Sequence, residues 1–452
     1  MSSKIAIVNP KTRSVIESNE PLNILALASY LVKAGLSVRI IDEAAGEDVV
    51  KAVEAFKPEL VGFTATTCSY SRAVQLLKQI KPLGYLTVIG GVHASTLPEK
   101  VLADGFDMVV VGEGEKMLLD IMVRGEQSGI FRTSRQQILS NEELPFLDRR
   151  LINMDFYRRT KERVPHDFNL DFVPFGAHMA CMLTSRGCPY SCIFCHNTWR
   201  GTPIRLADPE TVVGEIKALI RDYGVHYIWF LDDDFFQVKQ RVRRICEVII
   251  KDKIEVYWAT SSRPDSVDDE TLSLAYRAGC RRIAFGFESG SQRILDVLGK
   301  RSNVQENIAV VSLCNKHRIE VGGLFMIGNP TETSEDIGLT WKFIKNTKMD
   351  SISVSVTTPF PGTKLWQMCE ERGYIASDID FSGFYYTQAP IQIPDTFSPR
   401  EVEALKRRLI YKIYLLQPKI RGRFFLKFLR HPGLILEKSL EYLPFFKRPA
   451  DS

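Results

Sequence analysis

The sequence predicts an α/β protein with an N-terminal doubly wound parallel-sheet domain, a partial (β/α)6 barrel and a basic helical C-terminal region. Short runs rich in Val and Ile alternate with stretches of helical periodicity, which is typical of parallel strands buried on both faces. Of the 452 residues, 45% are hydrophobic and 25% are charged, as in soluble globular proteins. No apolar run reaches the ~18–20 residues that a membrane span requires.

The first predicted domain covers residues 1–124. In a sheet of this kind, ligands bind beyond the carboxyl ends of the strands. Those ends carry glycines, hydroxyls and carboxylates, so we expect a ligand-binding domain. The G-x-G-x-x-G fingerprint of dinucleotide sites does not follow the first strand. The predicted strand runs are KIAIVNP (4–10), SVRIIDE (37–43), LVGFTATT (60–67), LTVIGGVHA (86–94) and MVVVGEGE (108–115).

Residues 125–175 are charged and irregular, and we interpret them as a linker that packs across the domains. Residues 176–375 then contain six further β/α units, which predict an incomplete parallel barrel with its site at the carboxyl ends of the strands. Residues 376–452 form the predicted C-terminal helical region. The six strand runs of the barrel are AHMACMLTSRG, YIWFLDDDFF, EVYWATSSRPD, RIAFGFESG, EVGGLFMIGNP and SISVSVTTPFPGT.

Three of the nine cysteines lie close together, at Cys188, Cys192 and Cys195. The others are scattered singly, so a disulfide framework is excluded. Three thiolates at C-x3-C-x2-C spacing can surround one soft metal centre. Structural zinc requires four ligands, of which His196 could be the fourth, and zinc stays an alternative. Three thiolates suit a [4Fe-4S] cluster whose fourth iron is open to a substrate.

The segment TSRGCPYSCIFC resembles the signature of the radical S-adenosylmethionine (SAM) enzymes, and the resemblance covers roughly residues 176–375. It implies that the three cysteines hold the cluster and that the open iron binds SAM. Reduction of the cluster would then cleave SAM to methionine and a 5′-deoxyadenosyl radical.

The same resemblance implies SAM contacts at the ends of the barrel strands. The acids after the second strand have a structural alternative as a helix N-terminus, where the dipole favours negative charge. For Glu288, the glutamate of FGFESGSQ, the structural alternative is a role as an ion-pair partner. The implied contacts are Phe194 and Gly328 near the adenine, Asp233 or else Asp232 at the amino group, and Ser261, Arg263, Glu288 and Ser289 at the ribose and carboxylate.

The order of the domains resembles the cobalamin-binding subgroup of radical SAM enzymes. Where cobalamin domains of the methionine-synthase type carry D-x-H-x-x-G with a cobalt-ligating histidine, this chain reads NPKTRS (9–14). Binding without a histidine in that role is therefore expected. His93 could lie near the lower face of the corrinoid or simply bond a strand-end backbone. The resemblance implies a corrinoid site lined by Thr64, Thr66, Ser69, Gly90, Gly91, His93, Gly112 and Glu113.

These features predict a cobalamin-dependent radical SAM enzyme that methylates an unactivated carbon of a small molecule. One alternative keeps the radical chemistry without methyl transfer, as in ring contraction, cyclisation, oxidation or carbon–carbon coupling. Another is a corrinoid- or metal-binding protein without turnover. A flavodoxin or ferredoxin is implied as electron donor. Aromatic residues near strand ends favour a hydrophobic, lipid-like substrate, and they are Phe235, Phe236, Tyr257 and Trp258.

The positive charge of the chain is concentrated in its C-terminal region. The net charge is +5, from 59 basic and 54 acidic residues, and residues 406–448 contribute twelve Lys or Arg against Glu437 and Glu441. A basic amphipathic helix there could contact an anionic membrane surface, or pack its apolar face on the barrel. A nucleic-acid partner is not expected. With no secretory signal at the N-terminus, a cytoplasmic location is expected, peripheral to the inner face of the membrane if the tail binds lipid.

Overall fold

Six parallel strands form the N-terminal sheet of the computed structural model, which describes residues 3–12, 19–163, 171–196, 202–376, 379–385 and 388–423. The strand order is β2-β1-β3-β4-β5-β6. The elements are β1 (Lys4–Asn9), α1 (Leu22–Lys33), β2 (Ser37–Asp42), α2 (Val49–Phe56), β3 (Leu60–Thr64), α3 (Thr67–Ile80), β4 (Leu86–Gly90), α4 (Val92–Thr96), α5 (Pro98–Ala103), β5 (Met108–Val111), α6 (Glu115–Arg124) and β6 (Gly129–Arg132).

Both faces of this sheet are buried, which explains the continuous apolar runs of its strands. Ile5 and Ile7 of β1 face a core that includes α1 and α6. Ala6 and Val8 point the other way, into a core that includes α2, α3 and α5. The predicted doubly wound architecture is therefore confirmed.

The sequence analysis did not predict β6, which lies in the segment interpreted as a linker. Its residues pair with β5 from Met108↔Gly129 to Val111↔Arg132. The run GIFR is short and only half-buried, because an edge strand has a neighbour on one side. It therefore lacks the Val/Ile pattern by which the other five strands were recognised.

The rest of the segment 125–175 joins the two sheets through a buried ion cluster. Arg149, in a 3-10 helix at Arg149–Leu151, donates from Nε to Glu20 Oε1 at 3.1 Å and from Nη1 to Glu215 Oε1 at 2.5 Å. Its Nη2 also donates to the Cys181 carbonyl at 2.8 Å. Because Arg149 is only 4% exposed, this contact is part of the packed interior. Two short helices follow it, α7 (Met154–Tyr157) and α8 (Thr160–Arg163).

The second sheet contains the six predicted strands of the barrel, all parallel, in the order β14-β13-β12-β11-β10-β7. Strands β7 and β14 are the two open edges, so the barrel is partial. Its elements are β7 (Met179–Met182), β8 (Ser185–Arg186), β9 (Arg205–Leu206), α9 (Pro209–Tyr223), β10 (Tyr227–Phe230), α10 (Lys239–Lys251), β11 (Tyr257–Ser262), α11 (Asp269–Arg277), β12 (Cys280–Glu288), α12 (Gln292–Val297), α13 (Val304–Lys316), β13 (Glu320–Ile327), α14 (Ser334–Asn346), β14 (Ser351–Val356), α15 (Lys364–Glu371) and α16 (Pro399–Leu416).

The part of the C-terminal region from α16 to residue 423 packs on the barrel. Val402, Leu409 and Ile413 of α16 belong to the barrel core, and so does Ile420 beyond it. Arg423, expected on an open basic face, instead binds Glu320 and Asp350. The predicted amphipathic arc beyond residue 423 lies outside the described residues. No helix in the described ranges has the length and apolar character to span a membrane.

Candidate cofactor site at the carboxyl edges of the two sheets

The three clustered cysteines lie in one loop beyond the end of β7. The loop has a short antiparallel stem, in which Ser185 of β8 pairs with Leu206 of β9 and Arg186 with Arg205. Two backbone hydrogen bonds fix its middle: Ile193 N–H donates to the Leu298 carbonyl at 3.0 Å, and Leu365 N–H donates to the Ile193 carbonyl at 2.9 Å. The loop is thereby tied to the end of α12 and the start of α15.

The cysteine thiols act on one another electrostatically, so they share one site. Burial raises the pKa of the Cys195 thiol to about 12, with further increases from Cys192, Asp233 and Cys188. Burial also raises the pKa of Cys188, assisted by Asp233 and Asp234. A cationic centre that binds the thiolates would remove this destabilisation, because metal binding replaces the thiol protons.

The described residues contain no group of three His, Cys, Asp or Glu side chains that could hold a single metal ion. The zinc alternative, with His196 as fourth ligand, stays a prediction. A [4Fe-4S] cluster makes a different demand, since each thiolate binds a different iron and the sulfur atoms stay further apart. The donor set of three thiols in one loop fits that cluster.

The three acids after β10 point in different directions. Asp232 is 2% exposed and accepts hydrogen bonds from Thr184 N–H at 3.1 Å and Oγ1 at 3.0 Å. It therefore fastens the end of β7, and its assignment to SAM stays a prediction. Asp234 accepts from Ser262 Oγ at 2.6 Å. Asp233, between them, is exposed. Its negative charge raises the pKa of Cys188 and of Cys195. The helix N-terminus alternative is wrong, because α10 begins only at Lys239.

Glu288 forms an ion pair that the sequence analysis only partly predicted. It ends β12 with φ of +62°, a conformation that costs energy for a residue with a Cβ and that clusters at functional sites. Its Oε1 accepts from Lys300 Nζ at 2.8 Å. A Cβ on Gly286 would lie 2.5 Å from Glu288 Oε1 and 2.9 Å from Lys300 Nζ, so this glycine makes room for the pair. The positive charge of Lys300 also acts to lower the pKa of Cys195.

Lys300 was missed by sequence reasoning because it lies in a loop after α12, away from any strand end. Its only sequence signal is a lysine in the otherwise small and apolar stretch VLGK. The ion-pair alternative for Glu288 is confirmed, and it places a buried cation next to the cysteine loop.

The serine and arginine contacts expected for SAM divide into two groups. Ser261 is half-buried at the end of β11, where its carbonyl accepts from Phe235 N–H at 3.4 Å. Arg263 stacks on the Tyr190 ring at 3.5 Å and donates from Nε to Asp265 at 3.1 Å, so it supports the cysteine loop. Ser289 is fully buried and bonds to Thr340 Oγ1 at 3.2 Å. It faces α14, and its contact with SAM stays a prediction.

Two residues expected near the adenine also make packing contacts within the protein, and their SAM contacts stay predictions. Phe194 packs against Leu365, Cys369 and Ile393. Gly328 has φ of +78°, and a Cβ there would lie 2.9 Å from Val402 of α16. The chain passes so close to α16 that glycine is required, and the motif therefore serves packing at this position.

Three of the four aromatic residues expected to contact a hydrophobic substrate are part of the core, whereas Tyr257 is 41% exposed. Phe235, Phe236 and Trp258 are at most 3% exposed and pack on one another. Tyr257 and Trp258 begin β11, so they lie at the amino end of the strand, opposite the site. The strand was predicted correctly from its β-rich pattern, but the direction in which these side chains point depended on packing.

In the N-terminal sheet, the predicted corrinoid contacts meet at the ends of β3 and β4. Thr64 pairs with Gly90. The next residue, Gly91, has φ of +94°, and a Cβ on it would lie only 2.8 Å from the Ala65 carbonyl oxygen. Thr66 and Ser69 bond each other in the capping box that begins α3. These residues form a tight backbone edge with few free side chains.

His93 donates its backbone N–H to the Ala65 carbonyl at 3.2 Å on this edge, and its place near the lower face of the corrinoid stays a prediction. It is fully buried, with its ring 4.0 Å from that of Tyr70 and 4.7 Å from that of Phe381. Its Nδ1 lies 3.3 Å from Thr67 Oγ1. Burial lowers the pKa of His93 to about 4. Phe381 comes from the C-terminal segment, which completes the core of the N-terminal domain.

Gly112 and Glu113, after β5, are turned toward the barrel. Gly112 has φ of +97°, and Glu113 Oε1 lies 3.3 Å from Arg186 Nη1 and also binds Arg205. Glu113 is therefore an interdomain ion-pair partner, and its place in the lining of the corrinoid site stays a prediction.

The carboxyl edges of the two sheets also meet near Gly362. A Cβ on Gly362, after β14, would lie 2.5 Å from Thr96 Cγ2 of α4 and 3.1 Å from His196 Nδ1. The end of the cysteine loop, the barrel and the N-terminal sheet thus come together at this glycine. A group bound at one edge would therefore lie beside a group bound at the other edge.

Two protein families match this chain, in the order of its two sheets. The B12 binding domain matches residues 13–122, and the Radical SAM superfamily matches residues 182–344. An uncharacterized methyltransferase of Pyrococcus horikoshii is 31% identical over 97% of this chain and 98% of its own length. The anaerobic magnesium-protoporphyrin IX monomethyl ester cyclase of Rubrivivax gelatinosus is 26% identical over 84% of this chain and 71% of its own.

Among solved structures, the radical SAM methyltransferase TsrM of Kitasatospora setae, with cobalamin and a [4Fe-4S] cluster bound, superposes with a TM-score of 0.68 at 18% identity. That match covers 90% of this chain and 85% of TsrM. The fold is thus shared over nine-tenths of this chain. The chain is an enzyme of the cobalamin-dependent radical SAM methyltransferase family.

Proposed function

We propose that this enzyme binds a [4Fe-4S] cluster, SAM and cobalamin, and methylates an unactivated carbon of a small molecule. The observation that carries the proposal is the contact of the cysteine loop with the carboxyl edge of the N-terminal sheet, at Gly362, Thr96 and His196. In the family, the groups held by these two parts have to meet for methyl transfer. A flavodoxin or ferredoxin is the proposed electron donor.

When bound, these groups supply a reductively formed 5′-deoxyadenosyl radical and a transferable methyl group. Cys188, Cys192 and Cys195 hold the iron. Asp233 presents a carboxylate beside the cysteines, and the Glu288–Lys300 pair presents both charges there. An amino acid group with its ammonium and carboxylate, such as that of SAM, is complementary to this arrangement.

Replacing Lys300 by methionine is expected to weaken SAM binding by about 10–100-fold, because hydrogen bonds to charged groups contribute ~1.5–3 kcal/mol. The Kd is measured by anaerobic equilibrium dialysis on cluster-loaded protein. Lys364→Met is the control, since Lys364 is exposed and lies next to Ile193 at the same loop. Lys300→Arg should restore most of the affinity, and equal binding by Lys300→Met and wild type would contradict the assignment.

The function is tested on protein produced with cobalamin and reconstituted with iron and sulfide under nitrogen. SAM and a low-potential reductant are added, and bound corrinoid, 5′-deoxyadenosine and S-adenosylhomocysteine are quantified by mass spectrometry. Stoichiometric corrinoid together with both products supports methyl transfer. Deoxyadenosine without S-adenosylhomocysteine would reject it.

Radical chemistry without methyl transfer is the second candidate, favoured by the likeness to a relative named as a cyclase. It predicts deoxyadenosine without S-adenosylhomocysteine in the same assay. A binding protein without turnover predicts neither product.

We also infer a hydrophobic substrate and contact with an anionic membrane. Val92 at the start of α4 keeps an exposed apolar side chain near the junction at Thr96. On α16, Tyr411 and Leu415 are exposed beside the exposed cations Arg408 and Lys412. Cosedimentation with vesicles of anionic lipid measures the membrane contact, and equal binding to zwitterionic vesicles or none would reject it.

A further inference from the structure

Two arginines close the base of the cysteine loop. Arg186 and Arg205 face each other in the β8–β9 stem, so the whole loop that carries Cys188, Cys192 and Cys195 starts and ends between them. Neither arginine was part of the expected site. Both lie at the side of the barrel that meets the N-terminal sheet.

Two glutamates of the N-terminal domain bind this stem. Glu113 Oε1 contacts Arg186 Nη1 at 3.3 Å and also Arg205 Nη1, while Glu115 Oε1 accepts from Arg186 Nη2 at 2.6 Å. The four side chains expose between 1% and 11% of their surface. Two positive and two negative charges balance, as buried charges require.

Glu113 is itself held in place from several sides. The left-handed turn at Gly112 is fixed by a hydrogen bond from its N–H to Ser95 Oγ at 3.1 Å. Thr133 Oγ1 donates to the Glu113 carbonyl at 2.6 Å, and Leu139 N–H donates to Glu113 Oε2 at 3.1 Å. The carboxylate therefore reaches the stem from a rigid support on β5 and β6.

We propose that Glu113 and Glu115 are positioning residues, which act through Arg186 and Arg205 to set the cysteine loop at a fixed distance from the corrinoid-binding sheet. This proposal rests on the proposed function. The glutamates need no contact with SAM or cobalamin for this role. Without them the stem would keep its own two-residue pairing but lose its attachment to the N-terminal domain, and the loop could move independently of the corrinoid.

The test compares Glu113→Gln with Glu215→Gln. Glu215 is the matched control, because it also pairs with an arginine in a buried interdomain ion cluster but contacts Arg149 and not the stem. Two measurements are made on the full chain. Amide hydrogen exchange reports on residues 184–196 without cofactors. Electron paramagnetic resonance reports the magnetic coupling between the reduced cluster and cob(II)alamin in loaded protein, which falls with their distance.

Glu113→Gln is expected to retain iron and corrinoid, to weaken the coupling signal, and to accelerate exchange in residues 184–196 by about tenfold or more, because a buried charge loses its partner. Glu215→Gln should leave exchange in residues 184–196 at the wild-type rate, because Glu215 contacts Arg149 and not the stem. Wild-type coupling and exchange in Glu113→Gln, or the same change in both variants, would overturn the proposal.

If Glu113→Gln does not fold, the same two measurements are made on Glu115→Gln, which removes only one partner of Arg186. Wild-type protein that binds iron but no corrinoid would reject the proposed function. In that case the exchange measurement still decides whether the glutamates fix the loop.

Discussion

Replacing Cys192 by alanine is expected to reduce cleavage of SAM to the background level. Cys192 is the most buried of the three loop cysteines, at 7% exposed, and with two thiolates left the cluster loses one of its three protein ligands. Iron and sulfide content and the yield of 5′-deoxyadenosine are measured after the same anaerobic reconstitution. Both should fall together.

Cys246→Ala is the control for this experiment. Cys246 lies in α10, in the barrel core, so the same chemical change is made away from the loop. It should keep wild-type iron content and deoxyadenosine yield per folded protein. Wild-type iron and activity in Cys192→Ala would refute the assignment of the cluster. Zinc bound in place of iron would revive the structural-metal alternative.

Replacing Arg149 by methionine is expected to lower the free energy of unfolding by ~3–5 kcal/mol. The substitution leaves the buried carboxylates of Glu20 and Glu215 without their common cation and removes a donor from the Cys181 carbonyl. Burial already raises the pKa of Glu20 in the presence of Arg149. Its ionised form would be still less favourable once the guanidinium is gone.

Denaturant unfolding followed by fluorescence measures this loss, with Arg150→Met as the control. Arg150 is the next residue and pairs with Asp148, but its side chain is 83% exposed, so its loss should change stability by less than about 1 kcal/mol. Equal midpoints for the two variants would contradict the assignment of Arg149 to the interior. A biphasic transition in Arg149→Met alone would show that the two domains have been uncoupled.

Much of the fold was predictable because parallel strands buried on both faces leave a local pattern. All five strands expected in the first domain and all six in the barrel are present. The exception, β6, is an edge strand with half-buried residues, and it carries no such pattern. The cysteine spacing was equally local, since three ligands within eight positions can only come from one loop.

The direction of individual side chains was not predictable in the same way. Asp232, Asp233 and Asp234 are adjacent and chemically identical, yet one fastens β7, one is exposed beside the cysteines and one binds Ser262. The lysine in the stretch VLGK did not by itself show that Lys300 meets Glu288, because that contact forms only when β12 and the loop after α12 come together. Each of these differences depends on partners from other segments of the chain.

The two parallel sheets, their order and the cysteine loop could be read from the sequence, because periodicity and spacing along short segments encode them. The family could be read from the resemblance of its motifs, such as TSRGCPYSCIFC. The tertiary structure alone decided which polar residues face the site. Glu113 is bound by arginines of the barrel, and His93 is enclosed by Phe381 of the C-terminal segment. Contacts between distant segments bury such groups or leave them open, and no local pattern encodes that choice.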